Sequence, residues 1–281
     1  MFLPLGPRQD FKAHLAHLNL SRLQLVRARE TIPRLALIAL PPGMIVLTFP
    51  TDRAPPLIYD GMSVTSGEYI LHGPSQRFFQ RTVAGTGWGS ISLLPEDLSA
   101  FARAMLGDFA LPSRSVLLRP PRAKSLQLLR LHAQAGRLAQ AGLRLATHPE
   151  VLRGLEQEVS AAFVACLEHG EADDAPWRHD GETLARLEAV VNANADKLLS
   201  EHELARQTGV SKPALQALCG RALGMSSMQF QRRVNLESAH AELAQCAHPV
   251  PDITGLAERH GFRHLDQFIT EYLDIYGELP A

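Results

Sequence analysis

Two stretches in the last hundred residues repeat one pattern: a capping residue, a short helical run carrying Leu-Ala, a glycine, and a second helical run. In the first copy Ser200 and Glu203 have the spacing of a capping box, in which each side chain satisfies an orphan amide at a helix start. Leu204 and Ala205 form the inward side, and Gly209 ends the helix because glycine enters the left-handed region without a Cβ clash. Ser211 caps the next helix and Pro213 falls in its first turn, where a missing N–H is harmless. In the second copy Asp252 is the cap, Leu256 and Ala257 repeat the Leu-Ala pair, and Gly261 repeats the glycine. This is the sequence form of a helix-turn-helix. Residues 228–247 between the copies read as one helix of 20 residues, roughly 30 Å long at ~1.5 Å per residue. One turn of B-DNA is about 34 Å, so such a rod can set two recognition helices into successive major grooves. An all-helical domain whose capped helices only pack is the alternative, and the duplication favours DNA.

The repeated region resembles the AraC/XylS family of bacterial transcription regulators. Leu204-Ala205, Gly209-Val210-Ser211, Leu215-Gln216, Ala222-Leu223-Gly224, Phe230, Leu236-Glu237 and Ala239 fall on the signature of that family's first unit. Ile253-Thr254, Leu256-Ala257, Arg259, Gly261-Phe262, Phe268, Tyr272, Tyr276-Gly277-Glu278 and Pro280 fit the second. The resemblance implies operator DNA as the partner, with a small-molecule effector, RNA polymerase and a second copy of the chain as further partners. The residues expected at DNA are Ser211, Lys212, Ala214, Gln216 and Arg221 in the first unit. In the second they are Arg263, His264, Gln267 and Thr270. Gln216 and Gln267 can pair with adenine; Lys212, Arg221 and Arg263 can reach bases or phosphates.

Charge runs against strong non-specific binding. From Gly181 onward there are nine Lys and Arg residues against thirteen Asp and Glu, and DNA affinity comes largely from neutralised phosphates. Pro213, Ala217 and Asn235 stand where family members often carry arginine. Asp266, Glu271 and Asp274 lie on the second recognition helix, where basic residues are common. A second function therefore stays open: a degenerate AraC-like module that has lost strong DNA binding and acts through protein partners.

Ahead of this all-α domain, residues 22–95 read as short strands broken by glycine and proline, including Pro41-Pro42-Gly43 and Gly85-Thr86-Gly87. That density of breakers argues a sandwich or barrel. Residues 11–18 read as a short helix. By the family resemblance the β segment is a divergent cupin-like domain for effector sensing, so the fold class is α+β with two domains. Tyr69, His72, Phe79 and Trp88 are the effector candidates, although aromatic residues in strands more often form core. A metal-binding cupin needs clustered histidines and a carboxylate. His72 stands alone with Glu68, so no metal and no cofactor are expected. Neither glycine-rich stretch continues as a phosphate loop or a nucleophile elbow, and no catalytic constellation is present, so no enzyme is expected.

Residues 96–106 form a short helix after Pro95. Residues 125–145 carry a three-four stripe of Leu128, Leu131, Ala135, Leu138, Gly142 and Leu145. Thr147 and Glu150 make another capping box for a helix running to about Leu167. The stripe has two compatible destinations, packing on the β domain or a dimer interface, with Leu128, Leu131, Leu138 and Leu145 as the dimer candidates. Acidic, turn-rich residues 170–181 read as a linker. The expected division is 1–118 β-rich, 119–169 helical hairpin, 170–181 linker and 182–281 double helix-turn-helix. Cys166, Cys219 and Cys246 are too few and too scattered for a disulfide framework. With no apolar run long enough for a membrane span, a cytoplasmic protein is expected.

Overall fold

The run Ile45–Pro50 is buried at all six positions, which requires a packed layer on each face of the strand. The computed structural model describes the chain except residues 52–54, 108–109, 141–147, 169–170, 174–177, 246–251 and 281. Its strands are β1 (Phe2–Pro4), β2 (Ala13–Asn19), β3 (Leu23–Glu30), β4 (Arg34–Ala39), β5 (Ile45–Pro50), β6 (Leu57–Tyr59), β7 (Met62–Val64), β8 (Tyr69–His72), β9 (Arg77–Arg81), β10 (Gly87–Leu93), β11 (Val116–Arg119) and β12 (Glu171–Asp173). They form two antiparallel sheets: a five-stranded one in the order β1-β4-β9-β6-β7, and a seven-stranded one in the order β12-β11-β8-β5-β10-β3-β2.

Side chains alternate across a strand, and here the alternation assigns each residue to a layer. Leu47 and Phe49 of β5 and Tyr69 and Leu71 of β8 pack on helices α1 (Pro95–Leu106), α2 (Arg122–Gln140) and α3 (Pro149–Glu168). Ile70 of β8 turns the other way, into a core between the sheets with Tyr59 and Phe78. Phe78 and Phe79 diverge likewise: Phe79, with Leu3 and Leu35, leaves the five-stranded sheet on its outer face and joins the core of the C-terminal helices. The layers run helices, seven-stranded sheet, five-stranded sheet, C-terminal domain. Full burial of a side chain such as Leu35 or Phe79 contributes roughly 1.5–3 kcal/mol, so the contact between the two halves is a true core.

Three expectations change. Residues 11–18 do not form a helix; Ala13–Asn19 is the edge strand β2, paired along its length with β3. Ala16 is buried and Leu18 packs on the core while His17 is exposed, and long-range pairing overrides a weak local preference. Within the expected linker 170–181, residues 171–173 pair with β11, and helix α4 (Arg178–Ala193) starts before Gly181. The α2 stripe faces inward. Leu128 is fully buried and Leu131 nearly so, in one core with Val159 and Phe163 of α3, and Leu138 packs against that core. Leu128 and Leu131 therefore do not present a dimer surface, because the chain's own α3 and seven-stranded sheet already cover them, whereas Leu138 is only partly buried. Gly142, Leu145, the Thr147 capping box and Cys246 lie outside the described residues.

Candidate nucleic-acid interface

The C-terminal helices are α4, α5 (Glu201–Thr208), α6 (Lys212–Ala222), α7 (Ser227–Gln245), α8 (Ile253–Arg259) and α9 (Leu265–Tyr276). Ser200 and Glu203 make the full capping box at the start of α5. Ser211 Oγ accepts from the Ala214 amide, and Asp252 Oδ1 from that of Gly255 at 2.8 Å. The paired glycines do different work. Gly209 has φ 75° and open space around it, whereas Gly261 has φ 78° and a Cβ there would stand 2.7 Å from the Lys197 backbone. Gly261 thus permits a backbone bridge between the second unit and the segment ahead of the first.

Two cores share α7. Leu204, Ala205, Leu215 and Leu218 close the first around Phe230 of α7. Leu256, Ala257, Phe268 and Tyr272 close the second around Leu236, Ala239 and Leu243 of the same helix. The expected rod over 228–247 is observed over Ser227–Gln245, 19 residues. Two buried amides on it were not singled out from the sequence as structural. Asn235 Nδ2 donates to the carbonyls of Ala195 (3.3 Å) and His260 (3.0 Å), and Gln231 Nε2 to that of Lys197 (3.0 Å). These bonds tie both units to the segment before α5. The only sequence signal was negative: an amide at a position where the family often has arginine.

With the inner faces so assigned, all nine residues expected at DNA are exposed: Ser211 capping α6 with Lys212, Ala214, Gln216 and Arg221 on it, and Arg263 and His264 just before α9 with Gln267 and Thr270 on it. Several are already engaged. Glu201 holds Lys212 at 2.8 Å. The Lys212 side chain first, and Gln216 after it, keep the Glu201 carboxyl below the usual carboxylate range. Arg221 pairs with Asp180 at 2.7 Å. Gln267 donates to Glu271 (2.9 Å), which also accepts from Arg232 (2.6 Å), and Thr270 donates to the Asp266 carbonyl. Among the described residues the side chains of Arg263 and His264 have no partner. The far end of α6 is gripped by the sheet, where Arg81 of β9 donates to the Arg221 carbonyl at 3.0 Å.

The four effector candidates do not converge. Tyr69 faces the α2 side and bonds Ser125, and Phe79 faces the C-terminal core. The Trp88 indole donates to buried Glu30 at 2.8 Å. His72 is sealed between the sheets, with Nε2 on Thr48 and Nδ1 on Ser115, both at 2.9 Å, and its ring stacked on Phe78. Burial drives its pKa down to about 3, so it is neutral. Glu68 is occupied by Thr65 and Arg119 instead.

A helix-turn-helix domain model matches residues 204–281. Over 91 residues, 32% of the chain and 27% of the relative, the sequence is 29% identical to the probable thc operon regulatory protein of Rhodococcus erythropolis. Over 96 residues, 34% of the chain and 61% of the relative, it is 28% identical to the XylDLEGF operon transcriptional activator 2 of Pseudomonas putida. The chain thus spans less than two thirds of either relative's length. A solved structure of a probable AraC family transcriptional regulator from Rhodopseudomonas palustris is 32% identical, covering 35% of this chain and 90% of that one, with a TM-score of 0.32. The C-terminal domain belongs to the AraC/XylS family. The matched span begins at Leu204, inside α5 of this AraC-type domain, and takes in both α6 and α9. Among the described residues no helix is long and apolar enough to cross a membrane.

Proposed function

We propose that the chain is a sequence-specific transcription regulator of AraC/XylS type whose helices α6 and α9 enter successive major grooves of one duplex. The observation behind this is the division of faces: both helices give their apolar sides to cores built on α7 and leave Gln216, Arg221, Arg263 and Gln267 in solvent. Base contacts from Gln216 and Gln267 would specify, and Arg221 and Arg263 would position. The β layers with α1–α3 form the sensing half and α4–α9 the reading half. The molecule acts in the cytoplasm as a regulator rather than an enzyme, with RNA polymerase as a further partner. Modest affinity per chain is raised by linking two modules and by a second copy.

One observation favours the other function, a module that works through protein partners: Lys212 and Arg221 are neutralised by Glu201 and Asp180. An electrophoretic shift assay on genomic fragments at low and moderate salt separates the two. A regulator gives a preferred fragment and affinity that falls with salt; a partner module gives neither.

A further inference from the structure

Strand β9 and helix α4 enclose a cleft of about 290 Å³, adjoined by a second of about 270 Å³; Asp60, Arg77, Phe78, Gly181 and Ala185 line both. Asp60 is only 8% exposed. Its Oδ1 accepts the Phe79 amide at 2.8 Å. Its Oδ2 makes no hydrogen bond among the described residues and looks towards Gly181, where a Cβ would stand 3.2 Å away. The glycine keeps open the space that this oxygen faces.

A buried carboxylate needs a cation or a full set of donors. Arg77 pairs with Glu188 at 2.8 Å and Arg221 with Asp180 at 2.7 Å, and Arg114 lines the adjoining cleft but not the one lined by Leu37 and Phe79. Glu182 adds negative charge to the walls, while Leu37, Phe79 and Ala189 supply apolar surface. The volume is at the lower end for small-molecule sites. We propose that this cleft binds a small protonated amine, its ammonium on Asp60 Oδ2 and its carbon chain against Leu37 and Phe79. A metal ion fits poorly, since hard cations need several oxygen ligands. The site lies between the sheet and α4, where Asp180, the partner of Arg221, directly precedes the lining residue Gly181; the proposal does not rest on the chain binding DNA.

Saturation-transfer NMR on the full chain tests this, with n-butylamine as probe and n-butanol and butyrate as uncharged and oppositely charged controls. Saturable transfer to n-butylamine alone is expected. Asp60→Asn, which keeps an acceptor for the Phe79 amide, should weaken it at least tenfold. Ala189→Trp should abolish it: position 189 is exposed, so the indole fills the cleft without entering a core. Equal transfer to butanol or butyrate, no saturation with n-butylamine, or undiminished binding in the folded Asp60→Asn variant would overturn the proposal.

Discussion

Asn235 donates a hydrogen bond to the main-chain carbonyl of His260 at 3.0 Å, across the boundary between the two helix-turn-helix units. The side chain is fully buried, and its second bond reaches Ala195. Asn235→Leu would strand both carbonyls. A buried polar group without a partner costs about 1–3 kcal/mol, and urea denaturation should show a loss of that order. Unchanged stability would mean that these bonds do not hold the units together.

Gly261→Ala and Gly209→Ala form a matched pair. Both glycines have positive φ, but only Gly261 lies against a neighbouring backbone. Gly209→Ala should lose about 1 kcal/mol, the cost of a left-handed alanine. Gly261→Ala should lose clearly more, because either the bridge to Lys197 or the second unit has to shift. Equal losses by thermal denaturation would refute the close approach.

Asp60 gives a pH test. Burial, opposed by the Phe79 hydrogen bond and reinforced by the charge of Asp180, pushes its carboxyl up to about 7 from an ordinary 3.8. Between those values the folded chain holds a proton that the unfolded chain releases. Its contribution to stability is therefore complete below about pH 4, declines as pH rises, and is gone above about pH 7. Asp60→Asn cannot ionise. It should match the parent near pH 4 and exceed it near pH 8, by up to about 4 kcal/mol. A variant no more stable at pH 8 than at pH 4, relative to the parent, would show that Asp60 carries no such burden.

Glu201 restrains two residues assigned to DNA, Lys212 and Gln216. If α6 reads a duplex, Glu201→Gln should tighten binding a few-fold, since Lys212 is released from a weak exposed ion pair and one negative charge leaves the interface. Gln216→Ala should weaken one preferred sequence and spare others. Arg221→Ala should weaken all sequences alike and flatten the salt dependence. Shift assays on matched operators measure all three, and equal loss at every sequence for Gln216→Ala would remove that residue from base reading.

Local chemistry announced the helix ends well: Ser200, Glu203, Ser211, Asp252 and Gly209 all act as their spacing implies. A cap depends on three or four residues, so a short window contains its cause. The destination of a surface does not. The Leu128 stripe suits a partner chain or α3 equally, and only the fold shows that α3 covers it. Residues 11–18 fit a helix until β3 offers a pairing edge. The roles of Asn235 and Gln231 depend on carbonyls some 25 to 40 positions away. Glu201 restrains α6 only because the turn folds it back over Lys212.

Phe79 and Leu35 reach from the five-stranded sheet into the same core as Leu204 and Phe230. Halves joined this way cannot swing on a tether. Densely packed interiors answer a push by small shifts of their neighbours rather than by yielding, so any shift of the strands must reach the outward helices as a displacement of side chains across this shared core. Separating the halves would leave an oily wound on each, and the C-terminal half expressed alone would have to find something else to cover it.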